Sequence, residues 1–107
     1  RKSPEGKWLW PGYGENSRVL KWMCERIEGR AGAQETAIGY LPRSEDLDLS
    51  GLSVSAEYLK ELLRVDVAAW RSEVPDIQRH FAQFGVRVPQ RMHDQVCALE
   101  ERLANYE

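Results

Sequence analysis

Residues 8–18 read Trp-Leu-Trp-Pro-Gly-Tyr-Gly-Glu-Asn-Ser-Arg. Gly12 and Gly14 permit positive φ angles and a close approach of the backbone to a ligand. The preceding proline fixes its own φ and removes a donor. Asn16 or Ser17 is suited to cap a following helix, whose first N–H groups point back into the loop. The pattern therefore predicts a preshaped loop in front of a capped helix.

The same loop carries three aromatic side chains, Trp8, Trp10 and Tyr13. Aromatic faces beside free backbone donors and a side-chain amide are suited to hold a flat heterocycle. The alternative is a small aromatic core beneath a loop, which is the commoner use of such residues. The pattern alone leaves both interpretations open.

Length and composition are those of one modest domain. The 107 residues include 42% hydrophobic and 30% charged side chains, which is ordinary for a globular chain. The net charge of −2 gives no basic surplus to neutralise phosphates, so we expect no nucleic-acid partner. No apolar run approaches a membrane span, and Arg1 is not a methionine. We expect a piece of a longer, cytoplasmic chain without a membrane segment.

Residues 1–16 are predicted to form a loose, charged lead-in followed by this loop. Beyond the loop, the pattern predicts a mainly α fold within a single segment, 1–107. A helix is predicted over 17–28, where apolar side chains recur at helical spacing: Val19, Leu20, Met23, Cys24 and Ile27. Residues 29–54 are predicted to be irregular, with one short extended segment at 36–41. Residues 43–53 form the acidic loop that follows this segment. Its leucines are expected to pin the backbone to the core: Leu47, Leu49 and Leu52. Residues 55–107 are predicted to form a helical tail.

The tail is predicted to be a small helical bundle. Ser55 caps a short helix over 56–63, Asp66 caps a longer one that contains Pro75, and Pro89 opens the last. Apolar side chains repeat in steps of three and four along both long helices: Val67, Trp70, Val74, Ile77, Phe81 and Phe84, then Met92, Val96, Leu99, Leu103 and Tyr106. Matched stripes joined by a short turn predict an antiparallel helix hairpin. A coiled-coil site for a partner is the alternative.

No complete catalytic centre is expected from these residues. The sequence lacks Gly-x-x-x-x-Gly-Lys-Ser/Thr, so it has no phosphate-binding loop of that kind. His80 and His93 lack metal-ligand spacing and are expected on helix surfaces. Cys24 and Cys97 are expected to be buried free thiols. The alternating carboxylates of 44–48 lack the glycine and distal glutamate of a calcium loop, so we expect a solvated loop.

The string Trp-Leu-Trp-Pro-Gly-Tyr-Gly-Glu-Asn-Ser-Arg-Val-Leu at 8–20 resembles the guanine-binding loop of GTP-dependent phosphoenolpyruvate carboxykinase. That loop usually reads Phe-Leu-Trp-Pro-Gly-Phe-Gly-Glu-Asn-Ser-Arg-Val-Leu. Looser similarity continues through 21–27, 37–42 and 46–52, and family members also have a helix like the one around Trp70. The resemblance covers essentially the whole chain and implies the C-terminal segment of a longer α/β enzyme.

The resemblance implies that guanine is bound by Trp8, Tyr13, Gly14, Glu15 and Asn16. Trp8 and Tyr13 stand where the family has stacking phenylalanines, which leaves the width of the slot open. Asn16 matches an amide that helps to read the base, and Gly14 and Glu15 match the turn between them. A third stacking aromatic of the family would fall upstream of this sequence.

Several loop residues have more than one possible role. Asn16 can cap the helix instead of contacting the base, and Glu15 can simply favour the positive helix start. Arg18 can reach a phosphate or pair with Glu15 or Glu25. Trp10 matches a family tryptophan whose role we expect to be structural.

The resemblance further implies the activity of the whole enzyme, which converts oxaloacetate and GTP to phosphoenolpyruvate, GDP and CO₂ in gluconeogenesis. It implies Mn²⁺ at the catalytic centre and Mg²⁺ with the nucleotide, both held by residues outside this chain, and a monomeric parent. We expect no catalytic residue and no metal ligand here, and an isolated chain that is inactive. The alternative is a non-catalytic helical module that binds another protein.

Overall fold

The computed structural model describes residues 1–106. Four α-helices dominate this part of the chain: α1 (Ser17–Ile27), α2 (Ala56–Leu63), α3 (Val67–Ala82) and α4 (Gln90–Asn105). Strands β1 (Gln34–Thr36) and β2 (Gly39–Leu41) pair in a small antiparallel sheet. Short 3-10 turns lie at Tyr13–Glu15, Ser44–Asp46 and Gly85–Arg87. The mainly α prediction is confirmed. Among these residues no helix is both long enough and apolar enough to cross a membrane.

The predicted single extended segment at 36–41 is wrong, because the chain reverses within it. β1 ends at Thr36 and β2 begins at Gly39, so Ala37 and Ile38 form the turn. Gly39 has a φ of 121°, which a side-chain-bearing residue rarely adopts. The Thr36 hydroxyl donates to the Gly39 carbonyl oxygen at 2.6 Å and closes the turn.

The described chain divides into two compact units. The first contains Arg1–Glu35 and Tyr40–Arg64, and therefore holds the aromatic loop, α1 and α2. The second contains Thr36–Gly39 and the chain from Val65 onward, with α3 and α4. Each unit has its own apolar core, in which its apolar side chains are removed from water.

The core of the first unit is built around Trp22, Leu47 and Leu59, each less than one-tenth exposed. The Trp22 indole also donates to the Gly32 carbonyl oxygen at 2.9 Å, so its one polar atom is satisfied. Leu47 confirms that the acidic loop is pinned to the core. The predicted Ser55 cap of α2 is also confirmed, because its hydroxyl accepts from the Tyr58 N–H at 3.1 Å.

The apolar residues predicted on the first helix are largely not buried in its unit. Leu20, Met23 and Ile27 are 60%, 50% and 88% exposed. Cys24 is also exposed, as is Cys97 in the second unit, so the prediction of buried thiols is wrong, although both cysteines are free. Helical spacing marks a shared face, whereas burial requires a neighbouring element on that face.

The second unit contains the predicted antiparallel helix hairpin. Arg71 near the start of α3 donates to the Leu103 carbonyl oxygen near the end of α4, while Gln78 pairs with Glu100. Val74, Val96 and Leu103 are buried between the two helices. Ala37, from the turn between β1 and β2, is buried in the same core. Other stripe residues packed around them are Val67, Trp70, Ile77, Phe81 and Leu99. The prediction that the stripes bury each other is confirmed for these residues.

The ends of the long helices follow local rules. The Asp66 side chain accepts from the Ala69 N–H at 3.0 Å, which confirms the predicted cap of α3. The helix continues through Pro75 to Ala82. The stripes lose their burial toward the outer ends of the hairpin, where Phe84, Met92 and Tyr106 are 49%, 46% and 40% exposed.

Candidate functional site

The candidate site is the aromatic loop of the first unit, residues 8–16. Leu9 is 1% exposed and anchors the loop, whereas Trp8 and Tyr13 are 67% and 94% exposed. The alternative of an aromatic core beneath the loop is therefore wrong for these two residues. Trp10, by contrast, is only partly exposed. The loop keeps one apolar side chain inside and offers two large rings to solvent.

The segment before the loop is more ordered than the expected loose lead-in. Ser3 and Lys7 are joined by a backbone hydrogen bond of 2.8 Å across a turn, and Lys2 forms an isolated antiparallel bridge with Trp8. The Lys2 ammonium consequently lies 4.6 Å from the centre of the Trp8 ring. This is a cation–π contact, so one face of Trp8 is shared with a cation while the ring stays largely exposed.

The two loop glycines differ in conformation. Gly12 has a φ of 114°, as predicted, and the chain turns there. Gly14 lies inside the 3-10 turn Tyr13–Glu15 without a positive φ, so it does not use the backbone freedom that its lack of a side chain permits. The turn is closed by backbone hydrogen bonds from Glu15 N–H to the Gly12 carbonyl and from Asn16 N–H to the Tyr13 carbonyl. The loop therefore runs through a 3-10 turn directly into α1.

Asn16 does not cap α1 with its side chain, nor does Ser17. Asn16 already has helical dihedral angles, φ −65° and ψ −20°, and no side-chain capping bond. Its Oδ1 instead accepts a hydrogen bond from the Trp10 Nε1–H at 3.0 Å. The Ser17 hydroxyl donates backward to the Gly14 carbonyl at 3.5 Å. The predicted cap is therefore wrong, because a ring donor within the loop competes for the amide oxygen.

Of the roles considered for Arg18, the structure shows the salt bridge to Glu15. Its Nε lies 2.6 Å from Glu15 Oε2, and its Nη1 donates to the Asp48 carbonyl oxygen at 2.7 Å. The Asp48 carboxylate is in turn 2.6 Å from the Lys21 ammonium and accepts from the Ser50 hydroxyl. These contacts join the 3-10 turn, the first turns of α1 and the acidic loop.

The charges around the acidic loop are mutually paired. Hydrogen bonds from Lys21 and Ser50 hold the pKa of the Asp48 carboxyl well below its ordinary value. The Arg43 guanidinium similarly lowers the pKa of Asp46. Within residues 1–106, no three His, Cys, Asp or Glu side chains are grouped to hold a metal ion. The carboxylates of this loop serve ion pairs within the chain.

The two histidines lie on the hairpin surface in the second unit, as predicted. Both are exposed. His80 contacts the Phe84 ring edge-on with centroids 5.3 Å apart, and His93 contacts Phe81 at 5.8 Å. Neither contact is a metal-ligand arrangement.

Comparison with known proteins identifies the source of the loop sequence. Residues 1–102 match the family described as "Phosphoenolpyruvate carboxykinase C-terminal P-loop domain". The chain is 49% identical over 104 residues to "Phosphoenolpyruvate carboxykinase [GTP]" of Treponema pallidum, covering 96% of this chain and 17% of that protein. Proteins of the same name from Corynebacterium efficiens and Neocallimastix frontalis are 46% and 50% identical over 103 residues, with 96% and 95% of this chain and 17% of each relative covered.

These matches define a carboxykinase domain. The chain belongs to the family of GTP-dependent phosphoenolpyruvate carboxykinases. It spans 17% of the length of the relatives that it matches. The classical phosphate-loop signature is absent from its 107 residues, although the matching domain is named after such a loop.

Proposed function

We propose that this chain is the guanine-binding part of an enzyme that converts oxaloacetate and GTP to phosphoenolpyruvate, GDP and CO₂. The observation that carries the proposal is the exposure of Trp8 and Tyr13 in the aromatic loop, in a chain of this family. Large aromatic rings that face solvent cost hydrophobic free energy unless a partner covers them. A purine base is a partner of suitable shape.

Trp8 and Tyr13 supply the stacking faces in this proposal. Stacking a base on an aromatic ring contributes about 1–3 kcal/mol and hardly distinguishes one base from another. The Lys2 ammonium over Trp8 shares that ring, so the base uses its free face or displaces the cation. Selection between guanine and adenine must therefore come from groups at the edge of the base.

In the proposal, Gly14, Glu15 and Asn16 are the residues that contact the edge of the base. Guanine carries a carbonyl oxygen at position 6 where adenine carries an amino group. A hydrogen-bond donor of the protein therefore pairs with guanine but meets another donor in adenine. Asn16 contributes an amide, and Gly14 lies in the 3-10 turn that precedes it. The Glu15 carboxylate is held by Arg18, so its side chain supports the turn. An unpaired buried group costs about 1–3 kcal/mol, which is the basis of discrimination.

The chemistry of the proposed reaction lies outside these residues. Loss of CO₂ from oxaloacetate leaves an enolate, which takes the γ-phosphoryl group of GTP and releases GDP. The described residues do not group as a metal site, so we assign the expected Mn²⁺ and Mg²⁺ to other parts of the parent enzyme and derive no step through them. We also propose that the isolated chain is inactive, that the parent acts in gluconeogenesis as a monomer, and that it is cytoplasmic.

A helical interaction module is the second candidate. The exposure of Leu20, Met23 and Ile27 on α1 favours it, because such a face is suited to pack against another protein surface. In the enzyme proposal, the same face packs against the body of the parent protein.

The deciding experiment is an activity assay on the full-length protein that carries this chain. Phosphoenolpyruvate formation from oxaloacetate is measured with GTP and with ATP at equal concentrations. We expect formation with GTP and a clear preference for it over ATP. A full-length protein that folds but forms no phosphoenolpyruvate with either nucleotide would overturn the proposal and leave the interaction module.

A further inference from the structure

Trp10 donates the hydrogen bond that fixes which end of the Asn16 amide faces outward. The Trp10 Nε1 atom lies 3.0 Å from Asn16 Oδ1. An indole N–H is only a donor, so the atom facing it must be an acceptor. If the amide were rotated by half a turn, its NH₂ group would meet the indole N–H and two donors would oppose each other. The oxygen is therefore held toward Trp10 by chemistry as well as by distance.

The consequence is that the amide NH₂ group points away from Trp10. Among residues 1–106, Asn16 Nδ2 donates to no protein atom, and the residue is exposed. Asn16 is also fixed at the backbone, where its N–H donates to the Tyr13 carbonyl and its own carbonyl accepts from the Val19 N–H. Few degrees of freedom remain in this side chain once the indole bond is formed.

We propose that Trp10 is a positioning residue for base selection, which holds the Asn16 amide so that the loop presents a donor to a purine with a carbonyl oxygen at position 6. This inference rests on the proposed function and deepens it. Guanine and hypoxanthine carry that oxygen, whereas adenine carries an amino group whose hydrogens would face the Asn16 NH₂. Trp10 thereby gives the loop its preference without touching the nucleotide.

The test uses full-length enzyme and three nucleotides, GTP, ITP and ATP. Trp10→Phe keeps an aromatic ring and removes the donor, so the amide is free to turn. We expect kcat/KM to fall about fivefold for both GTP and ITP, mainly through KM, because they share the oxygen at position 6. The ATP value should hold or rise, so the ATP-to-GTP ratio increases by about fivefold or more.

Trp22→Phe is the matched control. It removes the other indole hydrogen bond of the same unit, the one to the Gly32 carbonyl at 2.9 Å, at a site remote from the loop in sequence. We expect a lower unfolding midpoint and an unchanged ATP-to-GTP ratio. If Trp10→Phe likewise lowers only the midpoint and leaves the ratios among the three nucleotides unchanged, Trp10 is merely structural and the inference is overturned.

A double-mutant cycle completes the test and does not depend on Trp10→Phe alone. Asn16→Asp keeps an acceptor for the indole but has no NH₂ to present, so it should reduce the use of GTP and ITP relative to ATP. In that background Trp10→Phe should not change the ratio further, because its effect acts through the amide. Additive effects would contradict the inference. If the unaltered enzyme shows no preference for GTP over ATP, the proposed function itself has failed.

Discussion

Arg18 and Asp48, thirty positions apart in the sequence, are joined by a hydrogen bond of 2.7 Å from the Arg18 guanidinium to the Asp48 carbonyl oxygen. The same guanidinium pairs with Glu15 in the 3-10 turn. One side chain thus ties the candidate site to the acidic loop. Because the Arg18 side chain is only 19% exposed, its bonds are less screened by water than those of an exposed pair.

Replacing Arg18 should therefore destabilise the first unit. We expect Arg18→Ala to lower the free energy of unfolding by about 1–2 kcal/mol, because a charge-assisted bond and an ion pair are both lost. Denaturant unfolding of the 107-residue chain measures this. Arg30→Ala is the control, since Arg30 and its partner Glu28 are both largely exposed, and its expected effect is below about 0.5 kcal/mol. Equal losses in the two variants would contradict the assigned role of Arg18.

The lowered pKa of Asp48 predicts an acid-dependent contribution to stability. Its folded pKa lies below the ordinary value of 3.8, so the folded state favours the carboxylate. The contribution is fully present above the unfolded pKa and is lost as the pH falls through the folded pKa. The unfolding midpoints of the unaltered chain and of Asp48→Asn should differ at neutral pH. They should converge at a pH well below the ordinary pKa of this carboxyl. A difference that persists under strongly acid conditions would contradict this assignment.

Tyr13 should contribute to nucleotide affinity through its ring rather than its hydroxyl. In the full-length enzyme, we expect Tyr13→Ala to raise KM for GTP by about tenfold, since one stacking face is lost. Tyr13→Phe keeps the ring and should change KM by less than about twofold. Tyr40→Ala is a suitable control, because Tyr40 is a 61% exposed tyrosine of the same unit outside the loop. A similar KM increase in Tyr40→Ala would indicate a nonspecific effect.

Arg71 should hold the end of α4 in the second unit. Its Nε donates at 3.0 Å to the carbonyl oxygen of Leu103, in the last turn, where the helix leaves carbonyl groups without helical partners. We expect Arg71→Ala to lower the free energy of unfolding by about 1–2 kcal/mol and to speed amide exchange in the last turn of α4. Arg79→Ala, on the exposed surface of α3, should leave both quantities nearly unchanged.

Much of the fold could be predicted because its signals are local. Ser55 and Asp66 begin their helices by accepting from an N–H three residues ahead, which depends only on neighbouring residues. The antiparallel pairing of α3 and α4 could also be predicted, because the two helices are consecutive in the chain. Their apolar faces, which include Val74 and Leu103, bury each other. For the candidate site, the residues of the aromatic loop were identified, and their guanine contacts stay a prediction.

The sequence by itself determined where the helices begin, which faces are apolar, and which family the loop belongs to, because propensity, capping and motif are properties of adjacent residues. Only the tertiary structure decided that Trp22 is buried while Ile27 is exposed, and that the Asn16 oxygen faces Trp10 rather than the helix N-terminus. Both outcomes depend on which other groups reach the same point in space. Burial and hydrogen-bond choice are competitions among neighbours, and the folded chain supplies those neighbours.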